Sequence, residues 1–257
     1  MALSKEFWLQ CVSATYQWQA MQSLSYTALE KIDVKKPVDR IGYICENAIN
    51  KYVLDLGALD ETAYEHKLNT EYWLHQRIAQ QARFVRGVDS SELVTDQGLT
   101  PCDNSVIQRG DVYQLQPVID EHGVPDLIVA GELIEHLPNS LQFLQSLKDI
   151  KALQGTRFIF TTPNACSLHN GIIGLFKRES THIDHLTILS FKTLNTLCQR
   201  AGFQSWQCRP YYMKFPEMIS KTQGFAHWST RGFEKAINLG ERLFPLLSGG
   251  WVVDVII

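Results

Sequence analysis

Apolar residues along the chain follow two alternating patterns. Short, unbroken apolar runs that end at a glycine, an acid or a proline are typical of strands buried on both faces of a parallel sheet. Between them, apolar positions recur every three or four residues, as in helices with one buried face. The predicted strands occupy residues 51–57, 84–89, 105–109, 126–131, 157–162, 203–212 and 250–257. This alternation predicts an α/β fold with a parallel sheet and helices on both faces.

The helical pattern also suggests how the chain is divided. A stripe of apolar residues through 3–33 predicts an N-terminal helical appendage, and aromatic residues at helical spacing predict an insertion near the other end. We expect both to cover a cleft, although a packing appendage or a dimer interface would have the same pattern. The predicted divisions are an appendage at 1–36, a core at 37–212, the insertion at 213–249 and a final core strand at 250–257. Shorter helices are predicted at 37–50, after residue 70, from Ser90, at 139–153 and at 190–201.

Composition and charge narrow the classes of protein to which the chain can belong. Its 257 residues are 45% hydrophobic, which is ordinary for a globular protein with a large core. A net charge of −3 without a long Lys/Arg run argues against a dedicated nucleic-acid surface. Six scattered cysteines without a Cys-x-x-Cys pair indicate reduced thiols. Because the sequence has neither an export-signal pattern nor an apolar stretch near the ~20 residues that span a bilayer, we predict a cytoplasmic protein with no membrane partner.

Two strand ends carry the first candidate chemistry. The first strand ends at Gly57, which allows a sharp turn and the close approach of a ligand. The second ends at Asp89, where an acid can accept both hydroxyls of a ribose, although it could also cap a following helix. A dinucleotide site would need further glycines, but Leu59 and Thr62 occupy those positions, and no Walker-type loop is present. The pattern therefore predicts a nucleoside site without a phosphate bridge.

These residues resemble the motifs of class I S-adenosylmethionine-dependent methyltransferases. Residues 53–57 resemble the first motif, 88–89 the ribose-binding acid and 110–111 the adenine-side turn. Residues 126–131 resemble the fourth motif and 160–164 the end of the fifth strand. The resemblance covers about residues 38–210 and is nearest to ubiquinone-pathway O-methyltransferases and the methyltransferases of bacterial glycan clusters. It implies a Rossmann-like, doubly wound, seven-stranded and mostly parallel sheet, with N-terminal helices and a helical insertion before the last strand. It also implies S-adenosyl-L-methionine as the cofactor.

The resemblance assigns cofactor binding to particular positions. They are Asp55, Gly57, Ala58, Asp89, Ser90, Asp111, Val112, Gly131 and Glu132. Acids at such positions suit the cationic sulfonium of the methyl donor. The chain departs from the family at Gly57-Ala58-Leu59-Asp60, where Gly-x-Gly-x-Gly is usual, and this departure concerns the loop on the methionine side of the cofactor.

The segment Glu132-Leu133-Ile134-Glu135-His136 is the second candidate cluster. If it is helical, Glu132, Glu135 and His136 share one face, where they can hold a hard cation or accept a proton. The cluster resembles a Glu-x-x-Glu-His of small-RNA 2′-O-methyltransferases that binds a divalent metal ion together with a later histidine. That resemblance implies metal ligands at Glu132, Glu135, His136 and His185. In the metal-free alternative, His136 is the general base and Glu135 its catalytic neighbour.

The sequence thus predicts a methyltransferase, and family analogy indicates O-methylation of a small hydroxylated metabolite or a sugar. The predicted partner is a small-molecule acceptor rather than a nucleic acid, and the sequence is compatible with a homo-oligomer. Two alternatives remain open. One is an enzyme that resembles RNA 2′-O-methyltransferases, and the other is a non-catalytic protein with the same fold that only binds the nucleoside or a protein partner.

Overall fold

The computed structural model describes residues 30–59, 64–68 and 70–257. The helical stripe predicted at 3–33 therefore lies almost entirely outside the described residues. Residues 30–36, the described end of the predicted appendage, have no regular secondary structure.

Eight strands in the described part of the chain form one mixed sheet, in the order β3-β4-β2-β1-β5-β6-β8-β7. They are β1 (Tyr52–Leu56), β2 (Phe84–Asp89), β3 (Leu99–Cys102), β4 (Ser105–Arg109), β5 (Leu127–Gly131), β6 (Arg157–Pro163), β7 (Trp206–Tyr211) and β8 (Gly250–Ile256). Neighbouring strands from β4 to β6 are parallel. β8 is antiparallel to both β6 and β7, and β3 is antiparallel to β4. The doubly wound, mostly parallel sheet is confirmed.

The predicted count of seven strands is wrong by one, because β3 forms a short hairpin with β4 at the edge of the sheet. β3 contains Thr100 and Pro101 and is only partly buried, so it lacks the unbroken apolar run by which the other strands are recognised. Proline removes a hydrogen-bond donor and is tolerated mainly in edge strands such as this one.

Helices pack on both faces of the sheet. They are α1 (Arg40–Ala48), α2 (Tyr64–Lys67), α3 (Leu74–Ala79), α4 (Gln116–His122), α5 (Ser140–Asp149), α6 (Leu168–Leu175), α7 (Phe191–Arg200), α8 (Pro216–Lys221) and α9 (Gly224–Leu243), with short 3₁₀ turns at Lys151–Leu153 and Pro245–Leu247. Consecutive strand residues face opposite sides of the sheet. Leu54 accordingly packs in the hydrophobic core on one face and Val53 in the core on the other. This burial on both faces explains the continuous apolar runs.

Local hydrogen bonds set where two of the predicted helices begin and replace a third with a turn. Asp39 caps α1 by accepting from the Gly42 N–H at 2.7 Å, so this helix starts after residue 39 rather than at Pro37. Ser190 caps α7 in a reciprocal capping box with Thr193, as the sequence predicts. The helix predicted from Ser90 is absent. The Ser91 N–H instead donates to Asp89 Oδ1 at 2.9 Å, and the segment forms a turn.

The insertion between β7 and β8 is helical and is held at the edge of the sheet where the parallel strands end. β7 ends at Tyr211 and β8 begins opposite it at Gly250. From α9, the buried Glu241 accepts from the Met213 N–H at 3.1 Å, and Glu234 accepts from the Phe215 N–H at 2.7 Å. Both acids therefore fasten α9 to the chain that leaves β7. No helix in the described part of the chain combines the length and the apolar character needed to cross a membrane.

We expect Glu241→Gln to stabilise the protein above pH 7. Burial raises the pKa of Glu241 from 4.5 to about 7, so the folded state binds this proton more tightly than the unfolded state does. Stability is therefore lost as pH rises from 4.5 to about 7, and the loss persists above that pH. Glutamine has no charge but keeps an acceptor for Met213, so we expect a gain of roughly 1–3 kcal/mol at pH 8 and little change at pH 4. Urea unfolding at both pH values measures it, and a loss of stability at pH 8 would contradict this expectation.

Candidate active site

The carboxyl ends of β1, β2, β4, β5 and β6 meet at one edge of the sheet, which we call the site edge. In open α/β sheets ligands bind at this edge. Gly57, just past β1, has a φ of 69° and donates its N–H to Val88 O at 2.9 Å. A Cβ at this position would lie 2.9 Å from Leu133 Cδ1. Both the backbone conformation and the space available therefore require glycine at the turn.

Asp89 lies at the end of β2 with its carboxylate between two loops. Oδ2 accepts from the Leu59 N–H at 2.8 Å, and Oδ1 accepts from the Ser91 N–H at 2.9 Å. An ionised carboxylate accepts about four hydrogen bonds, so these donors are compatible with additional bonds from ribose hydroxyls. Ser90 is exposed in the following loop. Beyond β4, the neighbouring strand, Asp111 is exposed as well, and Val112 is buried.

The loop that departs from the family pattern is filled by apolar side chains. Ala58 and Leu59 are buried in a cluster with Trp73, Val94 and Ile107. The Trp73 indole N–H also donates to Ala58 O at 3.0 Å. The Leu59 side chain is thus accommodated in this cluster while its backbone N–H still reaches Asp89. The remainder of the loop, residues 60–63, lies outside the described residues.

Asp55 is buried inside β1 rather than displayed at the site edge. Its Oδ2 lies 2.8 Å from Nδ1 of His75, a fully buried residue of α3. This contact connects β1 to α3. Cofactor binding by Asp55 remains a prediction, and the observed role of its carboxylate is this contact.

The segment 132–136 forms a turn, so the helical arrangement considered from the sequence is wrong. Glu132 has a φ of 55°, in the left-handed region, and a right-handed helix cannot continue through such a residue. Its N–H donates to Thr161 Oγ1 at 3.0 Å. After it, the His136 N–H donates to Leu133 O at 3.0 Å, which is the i to i+3 spacing of a turn. Glu132 and Glu135 consequently have different surroundings.

Glu132 belongs to a polar group that the sequence analysis missed. The Tyr211 hydroxyl lies 3.1 Å from both oxygens of Glu132, and Arg40 Nη1 is 3.9 Å from Oε1. Gly250 makes room for the Tyr211 side chain, since a Cβ at this position would overlap the Tyr211 ring. No local pattern marks Arg40 or Tyr211, because only the packing of α1 and the order of the strands bring them to Glu132.

The charges of this group are balanced. Burial acts to lower the pKa of Arg40, but the surrounding negative groups, Glu132 first among them, together outweigh burial and raise it. Burial, followed by the Glu132 charge, raises the pKa of Tyr211 well above its usual value. At neutral pH Arg40 is therefore a charged guanidinium and Tyr211 a neutral phenol.

Three other predicted residues form a compact cluster, which we call the Glu-His-His cluster. One potential ligand atom from each of Glu135, His136 and His185 lies within 4.8 Å of the other two. The His136 and His185 ring centroids are 4.6 Å apart at 84°. Glu135 is fully buried, and neither of its carboxylate oxygens has a hydrogen-bond partner among the described residues. Glu132, the fourth predicted ligand, is not part of this cluster.

A loop from the far side of β6 brings His185 to the cluster. The Leu186 N–H donates to Glu135 O at 2.8 Å and the Thr187 N–H donates to the same oxygen at 3.2 Å. His182, three residues before His185, is more exposed, and its ring centroid lies 6.1 Å from that of His136. The backbone contacts of Glu135 therefore fix the position of the second histidine.

Burial and mutual repulsion determine the protonation of this cluster. Burial, followed by the Glu132 charge, raises the pKa of Glu135 well above its usual value. Burial, followed by His182, lowers the pKa of His136, and burial, followed by His136, lowers that of His185. Both imidazoles are therefore neutral near pH 7, the form that accepts a proton or binds a metal ion.

Comparison with known proteins is consistent with this geometry. A sequence model described as a methyltransferase domain matches residues 34–207. No curated protein matches the chain. Among solved structures, a Thermotoga maritima S-adenosylmethionine-dependent methyltransferase, described as a possible histamine N-methyltransferase, is 13% identical; the match covers 84% of this chain and 86% of that chain, with a TM-score of 0.51.

Two further solved structures have lower TM-scores. An S-adenosylmethionine-dependent methyltransferase from Archaeoglobus fulgidus is 15% identical, with 84% of this chain and 90% of that chain covered and a TM-score of 0.46. The small RNA methyltransferase HEN1 is 12% identical, with 90% of this chain and 27% of that chain covered and a TM-score of 0.49. The Thermotoga structure shows the fold alone, and the other two carry no argument about substrate.

Proposed function

Because the chain belongs to the methyltransferase-domain family and is an S-adenosylmethionine-dependent enzyme, we propose that it methylates a hydroxyl oxygen of a small metabolite or sugar. The observation that carries this proposal is the Glu-His-His cluster. A buried carboxyl, whose oxygens have no hydrogen-bond partner among the described residues, lies beside two imidazoles at the end of β5. An alcohol must lose a proton when it is methylated, and such a cluster can receive it.

On the donor side, the residues present fit S-adenosylmethionine in two places. Gly57 and Asp89 offer a turn and a carboxylate for the nucleoside, as the sequence predicts. Arg40 and Glu132, 3.9 Å apart, present opposite charges that match the carboxylate and the ammonium of a methionine group. When bound, S-adenosylmethionine supplies a methyl group on a positively charged sulfur. The assignment of each residue to a part of the cofactor is our proposal.

In the metal-free version, His136 is the general base. Its lowered pKa keeps the ring neutral near pH 7, so it can accept the proton of the acceptor hydroxyl. Glu135 lies beside it, and burial raises its pKa, which favours the protonated carboxyl over the carboxylate. We propose that Glu135 orients the acceptor or the His136 ring through its proton.

The same residues also fit a divalent metal ion. Glu135, His136 and His185 offer one carboxylate oxygen and two imidazole nitrogens, and the Glu135 oxygens lack hydrogen-bond partners among the described residues. This mixed set suits Mn²⁺ or Fe²⁺ better than Mg²⁺, which prefers oxygen ligands. A bound cation would lower the pKa of the acceptor hydroxyl. Of the two versions, the metal-free base requires fewer assumptions, and we retain the ion as the alternative.

A chelator separates the two versions. With the metal-free base, we expect turnover to be unchanged after dialysis against EDTA, because proton transfer to His136 needs no cation. With the metal, turnover should fall and return on addition of Mn²⁺, and Glu135→Gln should abolish this response by removing the charged ligand. Methyl transfer is measured with the best acceptor from a panel of phenols and sugars, and donor binding serves as the control. If no phenol or sugar is methylated, the proposed acceptor class is wrong.

We propose that α8 and α9 roof the acceptor pocket. Two charged residues of α9 affect the pKa of Tyr72, which lies in the segment after the cofactor loop. Burial and then Glu71 raise this pKa. From α9, Glu234 raises it further and Arg231 lowers it. α9 therefore carries charged side chains that act on the segment just before α3. A dimer interface formed by the same aromatic residues is the alternative. The net charge of −3 supports a small-molecule acceptor over RNA, and the cytoplasmic location remains a prediction.

A further inference from the structure

The outward face of α9 carries an exposed apolar stripe. Phe225, Trp228, Leu239 and Leu243 expose 89%, 72%, 59% and 65% of their surface. With Gly232 and Ala236 they recur at steps of three or four residues and so lie along one face of the helix. The opposite face contains the buried Ile237 and Glu241. Large aromatic and aliphatic side chains concentrated on an exposed face indicate a binding surface.

Two neighbouring helices also carry exposed apolar residues. α6 packs against α9 so closely that a Cβ at Gly240 would lie 2.6 Å from Leu168. α6 ends in Leu175 and Phe176, which are 82% and 72% exposed, and Met218 of α8 is 52% exposed. Exposed apolar side chains are therefore common throughout the insertion and the helix beneath it.

The exposed charges of α9 are all basic. Arg231, Lys235 and Arg242 are exposed, whereas the acids of this helix, Glu234 and Glu241, are turned inward onto the Phe215 and Met213 N–H groups. Lys177 and Arg178 follow the exposed end of α6, and the exposed Glu179 comes after them. In a chain with a net charge of −3, this concentration of positive charge on one helix is a marked local asymmetry.

We propose that the apolar stripe of α9 docks on an anionic lipid membrane. An interfacial helix buries aromatic and leucine side chains between the lipid head groups while its flanking lysines and arginines contact anionic phosphates. Such docking requires no membrane-spanning helix, and it replaces the sequence-based prediction of a protein with no membrane partner. Because α9 follows β7 at the site edge, this orientation turns the candidate active site towards the bilayer. An acceptor that lies at the lipid surface is then within reach of the site.

Charge complementarity favours an anionic membrane over two other partners for the stripe, namely a second copy of the chain and residues 1–29 of the same chain. In a two-fold dimer through the stripe, the same basic helices of both copies would lie side by side and repel each other. The N-terminal residues 1–29 contain only Lys5 and Glu6 as charged residues, so they offer almost no negative charge to match Arg231, Lys235 and Arg242. A surface of anionic phosphates matches both the apolar stripe and its basic borders.

Co-sedimentation of the full chain with lipid vesicles tests the proposal. We expect binding to vesicles that contain phosphatidylglycerol, weaker binding as salt rises, and little binding to pure phosphatidylcholine. Replacing Arg231 and Lys235 by glutamate (R231E/K235E) should weaken binding by about tenfold or more. Replacing Phe225 and Trp228 by serine (F225S/W228S) should abolish vesicle binding, although the basic residues remain. These four side chains are exposed, and circular dichroism verifies that each variant is folded.

The matched control, R83E/K151E, makes the same change of charge at the opposite edge of the sheet and should bind vesicles as the wild type does. Equal weakening in this control would overturn the proposal, because it would indicate general attraction between charges. Absence of binding to anionic vesicles by the wild type would overturn it as well. A dimer that F225S/W228S dissociates, without vesicle binding, would assign the stripe to a second copy of the chain instead.

Discussion

Replacement of His136 by alanine is expected to lower turnover by a factor on the order of 10²–10⁴ and to leave donor affinity nearly unchanged. His136 lies in the turn after β5, with His185 4.6 Å away between ring centroids. Burial lowers its pKa, so it is present as a neutral proton acceptor near pH 7. Turnover is measured with the best phenol or sugar acceptor, and donor affinity is measured separately by calorimetry.

His122→Ala is the matched control, since His122 ends α4 at the opposite edge of the sheet. This variant should retain the activity of the wild type. The pH profile of turnover adds a test that a purely structural role would not affect, because the acidic limb should disappear in the His136 variant. If His136→Ala keeps full activity and the wild type is also insensitive to EDTA, both the general base and the metal ion are refuted. Alignment of donor and acceptor alone would then explain the transfer.

The second large effect is expected for Asp89→Ala, which should weaken binding of S-adenosylhomocysteine by about 10²–10⁴-fold. Two hydrogen bonds from ribose hydroxyls to a carboxylate contribute roughly 1.5–3 kcal/mol each. The variant also loses the acceptor for the Leu59 and Ser91 N–H groups, so the loops on both sides of the nucleoside lose an anchor. Calorimetric titration measures the change in affinity.

Two controls separate donor binding from loop stability in this experiment. Asp89→Asn retains one acceptor oxygen and should bind with intermediate affinity. Asp120→Ala removes an exposed acid of α4 and should leave affinity unchanged. Thermal unfolding without ligand shows how much each variant destabilises the fold. Unchanged affinity in a folded Asp89→Ala variant would contradict the assignment of this residue to the ribose.

The sheet could be predicted because each buried strand has a local signature. β1, β2 and β6 lie within a residue or two of the predicted segments, since burial on both faces requires an unbroken apolar run. β3 was missed because an edge strand that contains Pro101 needs no such run. The course of the segment 132–136 was also missed, because the spacing of its polar residues gives no sign of the positive φ at Glu132.

The candidate site was predictable only in part, for a related reason. Asp89, Glu135 and His136 follow strands that the sequence identifies, so their meeting at the site edge can be expected. Arg40 and Tyr211 precede and follow most of the core, and only the packing of α1 and the order of β8 and β7 bring them to Glu132. Such long-range contacts depend on how the sheet is assembled, and no local pattern records them.

Calorimetric titration of the intact wild-type protein with S-adenosylhomocysteine is the most direct test of the central claim, that the site edge binds the methyl donor. The account predicts saturable binding at one site per chain, despite the apolar loop at Ala58 and Leu59. No detectable heat of binding with millimolar ligand, from a protein shown to be folded, would contradict it.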